Sequence, residues 1–302
     1  MNKLASLKNR AKLEEEQTVS VAKAADREVL LAIKAALKEN LCSFILVDDE
    51  NKITSIAEEI NLDLSLPSIS INHVIRAEDV APASVLAIHN NEAQILMKGN
   101  ISTKDLLQAV LNKEYGLRTG KVLSHVALFE IPNQERLVLL TDAAMNIAPN
   151  LKEKAQIINN AVQVAHGIGL DIPNVAVIAS VEIVNEAMQS TVDAAALTQM
   201  QKRGQITGCV VDGPLAFDNA VSLQAARHKG IVSEVAGSAD ILMVPTIEVG
   251  NALYKSFIYF ADAKVAAIIS GAKAPIILTS RADTAESKLN SLALALVASK
   301  TF

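Results

Sequence analysis

The chain has 302 residues, with 28 Lys and Arg against 33 Asp and Glu and a formal net charge of −5. Half of the residues are hydrophobic and a fifth are charged, which excludes a disordered chain; no basic, aromatic-studded stretch marks a nucleic-acid surface. Only 3% are aromatic, with no Trp, three Tyr and six Phe, so the mean hydropathy of +0.28 rests on Ala, Val, Ile and Leu.

The opening MNKLASLKNRAKLEEEQ has no apolar core segment and no small-residue cleavage site, so it does not read as a signal peptide. Leu4, Leu7, Ala11 and Glu14 give one polar helix. A stronger helix spans 26–38, with Val29, Leu30, Ile33, Ala36 and Leu37 on one face and Asp26 as N-cap. Residues 43–47 (SFILV) and 68–71 read as short strands, with a helix over 51–60 between them. A helix over 78–89, a strand over 93–97 and a helix over 103–111 with a Ser102/Thr103 cap follow. Such alternation implies parallel strand pairing with helices on both faces.

From Lys121 the pattern changes. Residues 122–130 (VLSHVALFE) and 136–141 (RLVLLT) are two strand runs joined across Pro132-Asn133, an antiparallel hairpin. Alternation then resumes: helix 151–167, strand 175–179, helix 192–203, strand 208–211, helix 218–228, strand 241–244, helix 248–260, strands 265–269 and 276–279, and helix 284–298. The longest stretch without Asp, Glu, Lys or Arg is 155–170, which holds Gln156, Asn159, Asn160, Gln163 and His166. It is too short and too polar for a membrane span of about 20 residues. Cys42 and Cys209 sit inside apolar runs and read as buried free thiols of a reducing cytosol. The change near Gly120 suggests two α/β lobes sharing a continuous sheet.

Ligands of open α/β sheets bind beyond the carboxyl ends of the strands, so the residues after each strand carry the search. Ser280, Arg281, Asp283 and Glu286 lie between the strand at 276–279 and the last helix, and Asp283 with Glu286 has capping-box spacing. A hydroxyl, a guanidinium fork and helix N–H groups together suit phosphate; a capped helix with one surface Arg is the plainer alternative. Asp212, Gly213 and Pro214, in VDGPLAFD at 211–218, read as a sharp turn after a strand that aims Asp212 at the sheet edge. Gly250 and Asn251 weaken the first turn of their helix, which points to close approach of a ligand or a packed backbone, and Lys255 lies one turn on. Lys98 ends a strand before Gly99 and the hydroxyl pair Ser102-Thr103, a second possible anion site. No Walker A, nucleophile elbow or histidine metal spacing is present, and Gly167-Ile168-Gly169 ends a helix and is no dinucleotide fingerprint. Without an evident nucleophile, catalysis by positioning is favoured.

Taken together, Leu117–Gly120 (LRTG), Ser124-His125-Val126, TDAAMN at 141–146, VDGPLAFD, AGSADI at 236–241, GNALYK at 250–255 and Ser280-Arg281-Ala282-Asp283 resemble the phosphate acetyl/butyryl transferases, closest to the butyryl branch. The resemblance implies a two-lobed α/β/α three-layer fold similar to isocitrate and isopropylmalate dehydrogenases, with the active site in the inter-lobe cleft. It implies a first lobe of residues 1–119 and 268–302, the last helix returning to it, and a second lobe of 120–267. The implied reaction is acyl-CoA plus phosphate to and from acyl phosphate plus CoA, by direct transfer in a ternary complex, in a cytoplasmic homodimer or larger homo-oligomer. CoA is then a substrate, with no bound cofactor, metal, nucleic acid or membrane partner.

By the same resemblance Ser280 and Arg281 are catalytic, Arg281 holding the phosphoryl group. Lys98, Thr103, Asp212, Gly213, Pro214, Asn251, Lys255, Asp283 and Ser287 are expected to bind substrates. Where the acetyl branch has an Asp base this chain has Ser287, with Glu286 beside it, so Glu286, Asp283 or a residue of the other lobe is the expected base, unless the thiol needs little help. Where that branch has an Arg this chain has Gln108; both departures favour a longer acyl group. A dehydrogenase of the same fold, or a non-catalytic acyl-CoA sensor, would show no CoA release from acyl-CoA and phosphate.

Overall fold

The computed structural model describes residues 3–13, 15–278 and 284–302. Two compact units emerge. One is split in sequence, Ala5–Lys121 with Ala266–Lys300 and Phe302; the other is nearly continuous, Val122–Val265 joined by Lys3, Leu4 and Thr301.

The split unit begins with α1 (Ala5–Ala11), β1 (Thr18–Ala22), α2 (Arg27–Lys38), β2 (Ser43–Asp48), α3 (Glu50–Glu59), β3 (Ile69–His73), α4 (Ala77–His89), β4 (Ile95–Lys98) and α5 (Thr103–Val110). Asp26 caps α2 as expected, its carboxylate accepting the Glu28 and Val29 N–H groups at 3.1 Å. Strands β3, β2, β1, β4 and β11 (Ile276–Ile277) lie side by side and parallel. Strand β10 (Lys264–Ser270) is antiparallel beside β11. Consecutive residues Val19, Ser20, Val21 and Ala22 are all buried, so both faces of β1 are covered, as a parallel strand requires. The Ser20 hydroxyl meets that burial by donating to the Ser84 carbonyl of α4 at 3.0 Å.

The closing helix α11 (Ala285–Ala298) returns to this unit, where α1 and α2 pack against it. Every residue from Lys288 to Ala298 is buried. A helix buried all round serves as core, and its Leu-Ala alternation keeps it thin enough to be surrounded.

The continuous unit carries β5 (Ser124–Glu130), β6 (Val138–Thr141), α6 (Leu151–Gly167), β7 (Asn174–Ile178), α7 (Gln189–Lys202), β8 (Val210–Leu215), α8 (Phe217–Val221), α9 (Leu223–His228), β9 (Ile241–Met243) and α10 (Ile247–Phe260). Its strand order is β5-β6-β9-β7-β8. The expected hairpin is present, β5 antiparallel to β6 with Leu128 opposite Leu139, and the other pairs are parallel. Helix α6 has a capping box, Asn150 with Glu153, and ends with Gly169 at φ 87°, confirming that this glycine pair is a helix stop.

Two expectations need correction. The helix expected over 218–228 is two helices, because Ser222 is extended and its hydroxyl caps α9 through the Ala225 N–H at 3.2 Å. The strand expected to stop at 211 runs on to Leu215, through Gly213-Pro214. Both cysteines are buried and free, and burial pushes the Cys209 thiol up to about 11 and the Cys42 thiol higher still, so both are unreactive near neutrality. Among the described residues, no helix is long and apolar enough to cross a membrane.

Helices α6 and α7 are tied by a buried ion pair, Lys154 Nζ to Asp193 at 2.6 Å, with Gln189 donating to the other carboxylate oxygen at 2.8 Å. Removing one partner strands the other charge. Lys154→Met should therefore cost about 3–5 kcal/mol in a urea titration, whereas Lys154→Met with Asp193→Leu should recover most of that loss.

Candidate functional site

In the split unit the carboxyl ends of β1, β4 and β11 lie in neighbouring strands. Lys23 follows β1, Lys98 ends β4, and α11 starts soon after β11. Lys98 is half-buried and its ammonium donates to the Gly99 carbonyl at 3.3 Å. Ser102 alone caps α5, accepting the Asp105 N–H at 3.1 Å; Thr103, expected to share the cap, is an exposed first residue of the helix.

Beside this edge lies a cavity of about 600 Å³ whose lining includes Lys23, Asn100, Ser102, Gln108, Asn112 and Tyr115. Small side chains, Ala77, Ala81 and Ala109, make room in its wall, and Glu78 and Asp105 bring two carboxylates against one cation. Carboxamides, hydroxyls and methyl groups in one wall suit a ligand segment that is itself part amide and part aliphatic.

Ser280, Arg281 and Asp283 lie outside the described residues. The described start of α11 corrects the expected capping box. Thr284 is the N-cap, its hydroxyl accepting the Ser287 N–H at 3.1 Å, and the two hydroxyls stand 3.1 Å apart. Ser287 is thus engaged in closing the first turn. Glu286 is exposed in that same turn, where a carboxylate is favoured by the helix dipole.

In the continuous unit the end of β6 is organised by Asp142, which is 2% exposed. Its carboxylate accepts the Ala144 and Met145 N–H groups, each at 2.9 Å, and the Asn146 side-chain amide at 2.6 Å. Asn146 donates also to the Leu123 carbonyl at 2.8 Å. Gly250, in the first turn of α10, faces this loop: a Cβ there would stand 2.4 Å from the Asp142 carbonyl oxygen and 2.9 Å from the Ala143 Cα. The close approach expected at Gly250 is therefore that of a packed backbone. Asn251, the next residue, is exposed, with its side-chain amide 3.5 Å from the Ala143 carbonyl. Lys255 is exposed, its ammonium 5.4 Å from the Tyr254 ring centroid.

Asp212, Gly213 and Pro214 do not form the expected turn. They lie inside β8, which ends the strand order, where the register against β7 shifts between Ala176 and Ile178. An end strand can accept a proline because no neighbour needs its N–H. Asp212 is turned to a local task, accepting the Gly213 N–H at 2.9 Å, and a Cβ at Gly213 would stand 2.7 Å from the Val177 carbonyl oxygen.

Two residues escaped the sequence reading. Asp142 enters the sequence reading only inside the TDAAMN stretch, with no role of its own; the Asp followed by small residues and Asn was the local signal. Lys288 reads as one more surface lysine, yet it is buried; its signal is a charge four and seven residues before Leu292 and Ala295, on the same helix face. Among the described residues no group of His, Cys, Asp and Glu is arranged to hold a metal ion.

The family described as "Phosphate acetyl/butaryl transferase" matches residues 68–296. The chain is 53% identical over 300 residues to the probable phosphate butyryltransferase of Bacillus subtilis (strain 168), covering 99% of each. A branched-chain phosphotransacylase from Enterococcus faecalis V583 has a crystal structure similar at TM-score 0.84 and 40% identity, covering 94% of this chain and 99% of that one. A 4-hydroxythreonine-4-phosphate dehydrogenase from Klebsiella pneumoniae, at TM-score 0.58 and 10% identity over 94% of this chain and all of its own, shares the fold alone.

The contact at Gly250 predicts that Gly250→Ala will lower stability by about 1–3 kcal/mol in chemical denaturation, the range for forcing a methyl group into a packed interior.

Proposed function

The chain belongs to the phosphate acetyl/butyryl transferase family of acyltransferases, and we propose that it exchanges a butyryl-type acyl group between CoA and phosphate by direct transfer in a ternary complex. The reading is carried by 53% identity to a probable phosphate butyryltransferase over 99% of both chains. The chemistry is displacement at a carbonyl carbon. The CoA thiolate attacks the acyl phosphate, the carbonyl oxygen gains negative charge, and phosphate departs with the electrons of the broken C–O bond.

In this proposal Arg281 receives the departing phosphate together with the start of α11, whose partial positive charge favours an anion. Ser280 donates to the oxygen that becomes negative. The placement of that segment just ahead of a helix buried from Lys288 to Ala298 supports the assignment, since a rigid element holds reacting groups in register. Glu286 is our choice of thiol base because it is an exposed carboxylate in the first turn, whereas Ser287 closes the cap with Thr284. Asp283 is assigned to the same cradle. We keep Lys98 and Thr103, at and just beyond the end of β4, and the exposed Asn251 and Lys255 of α10 as substrate contacts. Asp212, Gly213 and Pro214 have support only as a wall, given their position within β8.

Gln108, uncharged in the wall of the 600 Å³ cavity, supports an acyl group longer than acetyl, and CoA is taken as substrate with no resident cofactor. Two buried thiols suit a reducing compartment, and we assign the enzyme to the cytoplasm.

We further propose a homo-oligomer formed through α10. Four of the nine aromatic side chains of the protein, Tyr254, Phe257, Tyr259 and Phe260, are on this one helix. Tyr254 and Phe257 pack inward on Phe129, at 5.2 and 5.1 Å between ring centroids. Tyr259 is 72% and Phe260 90% exposed. Val249, Ala252, Ser256 and Tyr259 recur at spacings of three, four and three residues on the outward side, a seam for a second helix. The seam holds no ionised group, so two copies of net charge −5 can meet there.

Butyryl-CoA and phosphate, followed with a thiol reagent, should release CoA only when both are present; no release would overturn the assignment. Arg281→Ala should lower kcat/KM about 10²–10³-fold, the usual loss for one donor to developing charge, and a series from acetyl- to branched pentanoyl-CoA should peak beyond acetyl. In sedimentation velocity, Tyr259→Glu with Phe260→Glu should reduce the assembly to a monomer with an unchanged thermal melt, while Val232→Glu should leave it intact.

A further inference from the structure

Resting on the reading that CoA is a substrate of this chain, we propose that Lys23 binds the diphosphate of CoA in the 600 Å³ cavity of the split unit. Lys23 follows β1 and has φ 60°, in the left-handed region. Among the described residues the other non-glycine residues with positive φ are Asn40, Asn61, Asn91, Asn133 and Asp262, the types that tolerate this conformation. A lysine tolerates it less well, and the fold holds it there from both sides. The Lys23 N–H donates to the Val47 carbonyl of β2 at 3.0 Å, and the Lys23 carbonyl accepts the Asn100 N–H at 2.9 Å. Gly99 leaves room for that turn, since a Cβ there would stand 2.2 Å from the Lys23 carbonyl oxygen. An Asn or a Gly would suit this backbone better, so the reason for a lysine lies in its side chain.

That side chain lines the cavity, and among the described residues it is the one cation in the wall. Both carboxylates of the wall are engaged elsewhere. Glu78 is paired with Arg76 at 2.6 Å, and Asp105 lies in the first turn of α5, where the helix dipole favours it. Among the described residues no ion pair or hydrogen bond holds the Lys23 ammonium. Lys23 is half-buried, so an anion entering the cavity meets its charge with less screening than at the open surface. Size selects the anion. The cavity is far too large for orthophosphate alone and has the volume of a site for a cofactor-sized molecule. Asn100, Gln108 and Asn112, with Ala81 and Ala109, suit the amides and methylenes of pantetheine. In CoA the group attached directly to pantetheine is a diphosphate, so one molecule satisfies the carboxamide wall and the lysine together. The 3′-phosphate of CoA and orthophosphate share this chemistry, and the experiment separates them.

The test uses the full-length protein with its Lys23→Met, Lys23→Arg and Lys23→Gly variants. Each is assayed with orthophosphate against butyryl-CoA, against butyryl-dephospho-CoA, which lacks the 3′-phosphate, and against butyryl-pantetheine, which lacks every phosphate. Lys23→Met should raise the KM for butyryl-CoA at least about tenfold, the loss of one hydrogen bond to a charged group. The KM for butyryl-dephospho-CoA should rise by the same factor, while those for butyryl-pantetheine and orthophosphate should not change. Lys23→Arg should keep the wild-type preference for butyryl-CoA over butyryl-pantetheine. Lys23→Gly should melt at or above wild type, since glycine suits the left-handed backbone, yet use butyryl-CoA as poorly as the Met variant. A merely structural lysine would not part stability from affinity in this way, and the Gly variant carries the test if the Met variant folds poorly. An unchanged KM for butyryl-CoA in either folded variant would overturn the proposal, as would an equal rise for butyryl-pantetheine. A rise confined to orthophosphate, or one that vanishes with the dephospho substrate, would overturn the assignment to the diphosphate and move the contact to orthophosphate or to the 3′-phosphate. Wild type that releases no CoA refutes the reaction; Lys23 is still supported if CoA, and not pantetheine, raises the wild-type melt and Lys23→Gly loses that rise. Wild type whose melt ignores CoA as well refutes both.

Discussion

Burying parallel strands on both faces is the constraint on which the rest of this protein depends. Residues Val19 to Ala22 of β1 are buried without a break, and so is each residue of β6 and β9. Such strands leave no solvent-facing row for chemistry, so reactive groups are confined to the residues beyond the strand ends. The same constraint explains the composition. Layers of helices packed on a sheet are filled by Ala, Val, Ile and Leu, and the nine aromatic residues are left for places where a large flat side chain has work to do. Six of them cluster on or against α10, Phe129 and Phe217 joining the four on the helix.

Much of this order was legible in the sequence. Helix α6 runs from Leu151 to Gly167 with the expected bounds, because its apolar positions keep one face for more than four turns and Asn150 marks its start. The β5–β6 hairpin was legible from Pro132-Asn133 between two aliphatic runs. Strand β1, TVSVA, was not: five residues with one Ser, between an acidic run and an Ala-rich segment, carry too little periodicity, and its place is fixed by pairing with β2 and β4 and by α4 packed on it. The turn expected at Gly213-Pro214 failed for a related reason. Gly-Pro is a breaker in isolation, but at the end of a strand order the missing N–H costs nothing and the strand continues through it.

Of the candidate site, the sequence offered positions along the chain and not contacts. Gly250 carried a correct message, that something comes very close, yet only the structure identifies the Asp142–Ala143 backbone as the visitor. Ser287 and Thr284 look interchangeable as polar residues at a helix start; geometry divides them into capped and capping. Lys288 was hidden because a charge in an Ala- and Leu-rich helix reads as the solvent side, and α11 has no solvent side from that residue onward.

The division of the chain into a continuous and an interrupted unit bears on the order in which the protein is made. Val122–Val265 forms one unit almost by itself, so its strands are all available once that stretch has been synthesised. Ala5–Lys121 emerges earlier but must wait, because β11 and α11, which complete its sheet and its core, are encoded after residue 265. The portion that starts first therefore finishes last. The element that seals it is also the helix whose first turn we assign to phosphate. Completion of this unit's hydrophobic interior and assembly of the edge we propose as catalytic become a single event, set by the docking of α11.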